Sequence, residues 1–338
     1  PFTQTNYALE VDAGTGDDDL TIDSDSGNAT INVSDYSNVE NLNLTGNNEF
    51  TMGGSGSYQE VNLGGATDLT IASGSSLTLS SSPLNGDTGD NDLNILGVVS
   101  GSVDLAAGND AVLIDLDTGS YTGSADGGLG IDTVTIDSSS SNSTLTGVSF
   151  SNFETLDLTG NNEITFTGSA TFDDILLDGT TDLVINTGAS LTANNNITAD
   201  TGNNNVDVLG ALAGNILLQT GDDHLNINFD SGSFTGTADG GAGGNDILTM
   251  TSGSAQSVDL NSGYSNFETI HLNGSGSYNV TDATTSANTV NISSSTSASF
   301  ANAVTADVNN DGSLSGDIDI TGGFVQTTTG DMTLSINT

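Results

Sequence analysis

The chain has 338 residues with 44 acidic side chains and no lysine, arginine or cysteine, giving a formal net charge of −44. This composition excludes disulfides and thiol chemistry, salt bridges to Lys or Arg, and electrostatic binding to DNA, RNA or anionic lipid, all of which need basic groups. The acids are 37 Asp and 7 Glu, a bias toward the residue that suits turns and oxygen-ligated hard cations.

The apolar fraction is 34 %, low for a globular domain. The pattern is nevertheless that of a folded chain. Stretches such as LTIDSDSGNATINV alternate apolar and polar residues, the period of a strand with one buried face. Proline occurs only at Pro1 and Pro83, fewer than a disordered linker carries. No segment has helical periodicity, and no apolar run reaches transmembrane length. With no starting Met and no signal peptide, the chain reads as a mature or excised portion of something longer.

In chain order, the first turn signal is GTGDDDLTI, which sets Gly16 before Asp18 and Leu20. The phrase YSNVENLNLTG follows from Tyr36, then the strand pair in ATDLTIASGSSLTL around Asp68. Three corners come next, each Gly-x-(Asp/Asn)-x-apolar: GDNDL at Gly89, GNDAV at Gly108 and GIDTV at Gly130, in steps of 19 and 22. FSNFETLDLTG then begins at Phe150, 114 residues after its counterpart at Tyr36. Asp182 in TTDLVINTGASLTA restates Asp68. The corners return at Gly202 (GNNNV), Gly221 (GDDHL) and Gly244 (GNDIL), in steps of 19 and 23. YSNFETIHLNG closes the third copy from Tyr264, again 114 residues on.

Two periods therefore overlap. The long one makes one continuous repeat array over 1–338, with approximate units 1–86, 87–199 and 200–313 and a partial unit 314–338. The short one, near 20 residues, suits one coil of a parallel β-solenoid, with two or three short strands and their turns. The predicted fold is all-β. Leu, Ile and Val point inward, Ser, Thr, Asn and Asp point outward, and Gly sits where a corner needs positive φ. About 16 or 17 coils would make a rod on the order of 80 Å long. Three tandem β-sandwiches of one unit each are the competing architecture, although a sandwich has no reason to show the 20-residue step.

GGLGIDTVT, residues 127–135, fits the nine-residue pattern G-G-x-G-x-D-x-U-x, with U apolar. AGTGDDDLT, DGGAGGNDILT, QTGDDHLN and LAAGNDAVL keep some of its positions. On these motifs the chain resembles the secreted RTX (repeat-in-toxin, haemolysin-type) calcium-binding proteins. The resemblance implies that Asp18, Asp110, Asp132, Asp223 and Asp246 are Ca²⁺ ligands between stacked turns. The motifs here stand one per coil rather than in direct tandem, and Asn91 and Asn204 replace the aspartate in two coils. The residue-level alternative is that Gly-x-Asp marks a tight corner. The SN(F/V)E phrase is similar to phrases in autotransporter-like bacterial surface passengers. Its Glu40, Glu154 and Glu268 are either cation ligands or, the favoured reading, residues hydrogen-bonded to a turn.

Little here suggests catalysis. His224 and His271 are the only histidines, too few for zinc without Cys, and both are expected to face solvent. The adjacent pairs Asp173–Asp174 and Asp222–Asp223 keep open a polysaccharide-acting β-helix enzyme working with paired carboxylates. The absence of Trp and the near-equal repeats argue against one specialised cleft. Outward threonines in TLTL and TVTI give ice binding as a further alternative. The expectation is a non-enzymatic, extracellular structural or adhesive protein of the bacterial cell surface: a surface fibre, S-layer or adhesin stalk. It would be stabilised by divalent cations, calcium above all, and would self-associate.

Overall fold

In the computed structural model, residues 11–24, 27–282, 287–301, 304, 306–316, 323–326 and 332–334 are described. The chain is a parallel β-solenoid of about 13 turns of roughly 21 residues. Among the described residues the only helical element is the single 3₁₀ turn Val33–Asp35. Strands pair with the strand one turn away and run parallel, as in the Asp92–Ile95 ladder with Ala111–Asp115. This rules out tandem antiparallel sandwiches. There are fewer turns than the 16 or 17 expected, and the step from a strand to its partner one turn on ranges from 16 to 26 residues.

The contacts divide the chain into two compact units, residues 1–162 with 168–175 and residues 163–167 with 176–338. In the first unit a turn visits three sides in order. Glu60–Gly64, Asp68–Ile71 and Ser76–Leu79 are followed one turn later by Leu84–Asn85, Asp92–Ile95 and Val98–Ser100. The strict alternation in each strand is what places the core. Leu69, Leu93, Val112, Val134 and Leu156 stand in register up one inner row, and Ile71, Ile95, Ile114, Ile136 and Leu158 up the next. None of the ten exceeds 2 % exposure. Each contributes roughly 1.5–3 kcal/mol by leaving water.

The second unit repeats this plan. Leu183, Val206, Leu225, Leu248, Ile270 and Val290 form one inner row, and all are buried. A thin core of two aliphatic rows per side needs few apolar residues per turn, which reconciles a 34 % apolar chain with a well-buried interior.

Candidate functional site: buried carboxyl columns

Each inner ladder is preceded, one residue before its strands, by a stacked column of polar side chains. In the first unit the column is Thr67, Asn91, Asp110, Asp132 and Glu154; in the second it is Thr181, Asn204, Asp223, Asp246 and Glu268. Thr67, Asn91, Asp132, Thr181, Asn204 and Asp246 have no exposure, and Asp110 and Asp223 have 1 %.

The column is held by backbone N–H groups. The Asn91 N–H donates to Asp110 Oδ1 at 2.7 Å, the Asp110 N–H to Asp132 Oδ1 at 2.7 Å, and the Asp132 N–H to Glu154 Oε2 at 2.6 Å. In the second unit the Asn204 N–H donates to Asp223 Oδ1 at 2.7 Å, the Asp223 N–H to Asp246 Oδ1 at 2.9 Å, and the Asp246 N–H to Glu268 Oε2 at 2.8 Å. The first copy of the repeat shows the last step alone, with the Asp18 N–H donating to Glu40 Oε2 at 3.0 Å.

The residue types follow from what each rung must reach. Asp suits a rung whose preceding rung offers an N–H. Asn stands where the preceding rung, a threonine, offers carbonyl oxygens: Asn91 Nδ2 donates to Thr67 O at 2.9 Å and Gly65 O at 2.8 Å, and Asn204 Nδ2 to Thr181 O at 2.9 Å. The two Asn substitutions of the corner motif are thus a change of hydrogen-bond polarity. Glu closes the column because its chain is one methylene longer. The SN(F/V)E phrase serves this closure. Asn38, Asn152 and Asn266 take left-handed φ of 56°, 53° and 54°, and Val39, Phe153 and Phe267 enter the core. The three glutamates accept a turn's N–H, as favoured from sequence.

Of the corner glycines, Gly16, Gly130 and Gly244 take positive φ as expected, and the other four do not. Gly89, Gly108, Gly202 and Gly221 are not in the left-handed region. They are small because coils stack on them: a Cβ on Gly108 would lie 2.4 Å from Gly89 O, and one on Gly221 2.2 Å from Gly202 O. Gly-x-Asp is therefore a stacking motif, with a bare glycine against the coil below and a carboxylate on its N–H two residues later.

One oxygen of each aspartate remains. Oδ2 of Asp18, Asp110, Asp132, Asp223 and Asp246 is buried without a hydrogen-bond partner. These are the five residues that the RTX resemblance implies as ligands. Burial pushes Asp110 up to about 6, against the pull of the Asn91 N–H and helped by the charges of Asp132, Asp90 and Asp92. Asp223 and Asp246 are likewise pushed up to about 6, foremost by burial. Asp132 is raised for the same reason, with Glu154, Asp126 and Asp90 as its acidic neighbours. A buried carboxylate oxygen without a partner is costly, and a proton or a hard cation relieves that cost. The donors are all oxygen, which suits Ca²⁺. Among the described residues, no three His, Asp or Glu side chains converge as a metal-binding group.

Of the adjacent acidic pairs, Asp173 and Asp174 are both half-buried in the strand Ser169–Leu177. Asp223 is buried and Asp222 exposed, so this pair does not present two carboxylates to one substrate. His224 and His271 are half-buried rather than fully solvent-facing. His224 Nε2 lies 2.9 Å from Thr249 Oγ1, and burial lowers both imidazole pKa values. A cavity of about 220 Å³ is lined by Leu217, Gln219, Asp239, Gly241, Ala242 and Asn266, with one carboxylate among them. Comparisons with protein-family models, curated proteins and solved structures find no match to this chain.

Proposed function

We propose that this chain is a structural repeat segment of an extracellular bacterial surface assembly (a fibre, lattice or adhesin stalk), calcium-stabilised, self-associating and without catalytic activity. The observation that carries this reading is that the polar column Thr–Asn–Asp–Asp–Glu is built twice, at intervals of 113 or 114 residues, with its Asp–Glu step a third time at Asp18 and Glu40. A feature built repeatedly serves the scaffold; a catalytic cleft needs one copy to depart from the rest. The sequence-adjacent Asp222 and Asp223, one exposed and one buried, support the same reading.

In this account Asp18, Asp110, Asp132, Asp223 and Asp246 each turn a spare carboxylate oxygen toward a hard cation, and backbone carbonyls of neighbouring coils complete its shell. Such an ion offsets a charge of −44 that has no basic side chain to balance it. Outside the cell, a chain without Lys or Arg also lacks trypsin-type cleavage sites.

The test is electron microscopy and light scattering of the purified chain, first in chelator and then in millimolar Ca²⁺. Ordered fibres or sheets in Ca²⁺ are the expected result. A monomer under every condition contradicts self-association and leaves the stalk role alone.

A further inference from the structure

His224 and His271 are the only side chains of this chain that offer a nitrogen lone pair, and folding carries both to one face of the second unit. The strand His224–Asn228 pairs in parallel with Ile247–Thr251, and that strand pairs with Thr269–Asn273. Leu225, Leu248 and Ile270 of these three strands are buried. The residues that alternate with them, His224, Thr249 and His271, therefore stand on the outer face.

The register turns the two rings toward each other. Thr249 and His271 are direct neighbours in one outward row, and His224 lies in the adjacent row, one coil before Thr249. His224 leans across to that next coil, where its Nε2 lies 2.9 Å from Thr249 Oγ1. The tip of His224 thus sits over a strand that is one spacing, about 4.8 Å, from the strand carrying His271. Burial lowers the pKa of both imidazoles, and at His271 the nearness of His224 adds to the lowering. Both rings are then neutral at neutral pH, which is the metal-ligating form of histidine.

We infer that His224 and His271 together hold one borderline transition-metal ion (Zn²⁺, Cu²⁺ or Ni²⁺) on the outer face of the solenoid. Imidazole suits these ions, whereas the all-oxygen columns suit Ca²⁺. Two nitrogens fall short of a closed four-ligand zinc site, so water fills the remaining positions and the ion stays exchangeable. The negative charge of the chain raises the local concentration of any divalent cation, and the imidazole pair selects among them. Thr249 is a positioning residue, because its hydroxyl holds the His224 ring on the side of His271. The pair belongs to one copy of the long repeat alone: the counterparts of His271 are Asp157 and Asn43.

The experiment is calorimetric titration of Zn²⁺ into the wild-type chain, His224→Asn and His271→Asn, with millimolar Ca²⁺ present to compete for the carboxylates. Asparagine already stands next to each histidine in its row, Asn205 beside His224 and Asn291 beside His271, so both variants should keep the fold, which circular dichroism verifies. The wild-type chain should bind one Zn²⁺, and each variant should bind it roughly tenfold or more weakly, because losing one of two linked contacts removes the gain from holding both. In NMR spectra of the wild-type chain, the ring signals of both histidines should shift together with the first equivalent of Zn²⁺. Equal Zn²⁺ affinity in all three chains overturns the site and assigns the binding to carboxylates. A loss confined to one variant, or a shift of one ring only, also overturns it and leaves a single imidazole as ligand.

Discussion

The two oxygens of Asp110 have different fates: Oδ1 takes the Asn91 N–H, and Oδ2 is buried with no partner. The two therefore respond oppositely to mutation. Asp110→Ala removes the acceptor and strands a buried N–H, at a cost of about 1–3 kcal/mol. Asp110→Asn keeps an acceptor and removes the charge, so in chelator at pH 7.5 it should be at least as stable as wild type. Denaturant midpoints of the two variants decide this, and equal losses in both would contradict the assignment of Oδ1. The same residues set a pH dependence. Asp110, Asp223 and Asp246 are raised to about 6 in the folded chain, against roughly 3.9 when unfolded. The folded state therefore binds more protons between these values. The resulting stabilisation is complete below about pH 4 and is lost as pH rises through 6. In chelator the melting temperature should be higher at pH 5 than at pH 7.5. The triple variant Asp110→Asn/Asp223→Asn/Asp246→Asn should flatten that difference, which separates the columns from the general repulsion of the other carboxylates.

At the scale of the element, a coil is defined by what it rests on. Gly130 has φ of +155°, and a Cβ there would lie 1.5 Å from Gly108 O, so Gly130→Ala must push neighbouring coils away from each other. Gly188 has φ of +83° with open space around it. Gly188→Ala should cost only about 1–2 kcal/mol for the left-handed conformation, and Gly130→Ala at least about 3 kcal/mol. Urea unfolding of both variants reads the difference; equal costs would mean that coil stacking does not depend on the bare glycine. These corners also mark how far the sequence is legible. The spacing of Gly and Asp is plain in it, and so are the alternating strands, because both repeat within a single line of text. The reason for the glycine is not, since close approach between coils is a relation between residues 19–23 positions apart. Thr67 and Thr181 leave no signal as column members because they contribute backbone carbonyls, which any residue has. The approach of His224 to His271 needs strand register before it appears.

Over the whole molecule, the long repeat and the turn are incommensurate. At roughly 21 residues per turn, 114 residues make about five and one-third turns. Within the first unit, the strand after SNVE, Asn41–Thr45, accordingly lies on one side and the strand after SNFE, Thr155–Gly160, on another. A charge of −44 has no counter-charge in the chain, and the cation binding proposed above would place ions at the unpartnered oxygens of the columns. The most direct test is thermal unfolding by circular dichroism in chelator, then with millimolar Ca²⁺, with Mg²⁺ at the same concentration as control. Ca²⁺ should raise the melting temperature well beyond Mg²⁺, and the triple Asp→Asn variant should lose most of that gain. Identical melting in chelator and in Ca²⁺ would contradict the account and reduce the Gly-Asp corners to stacking motifs alone.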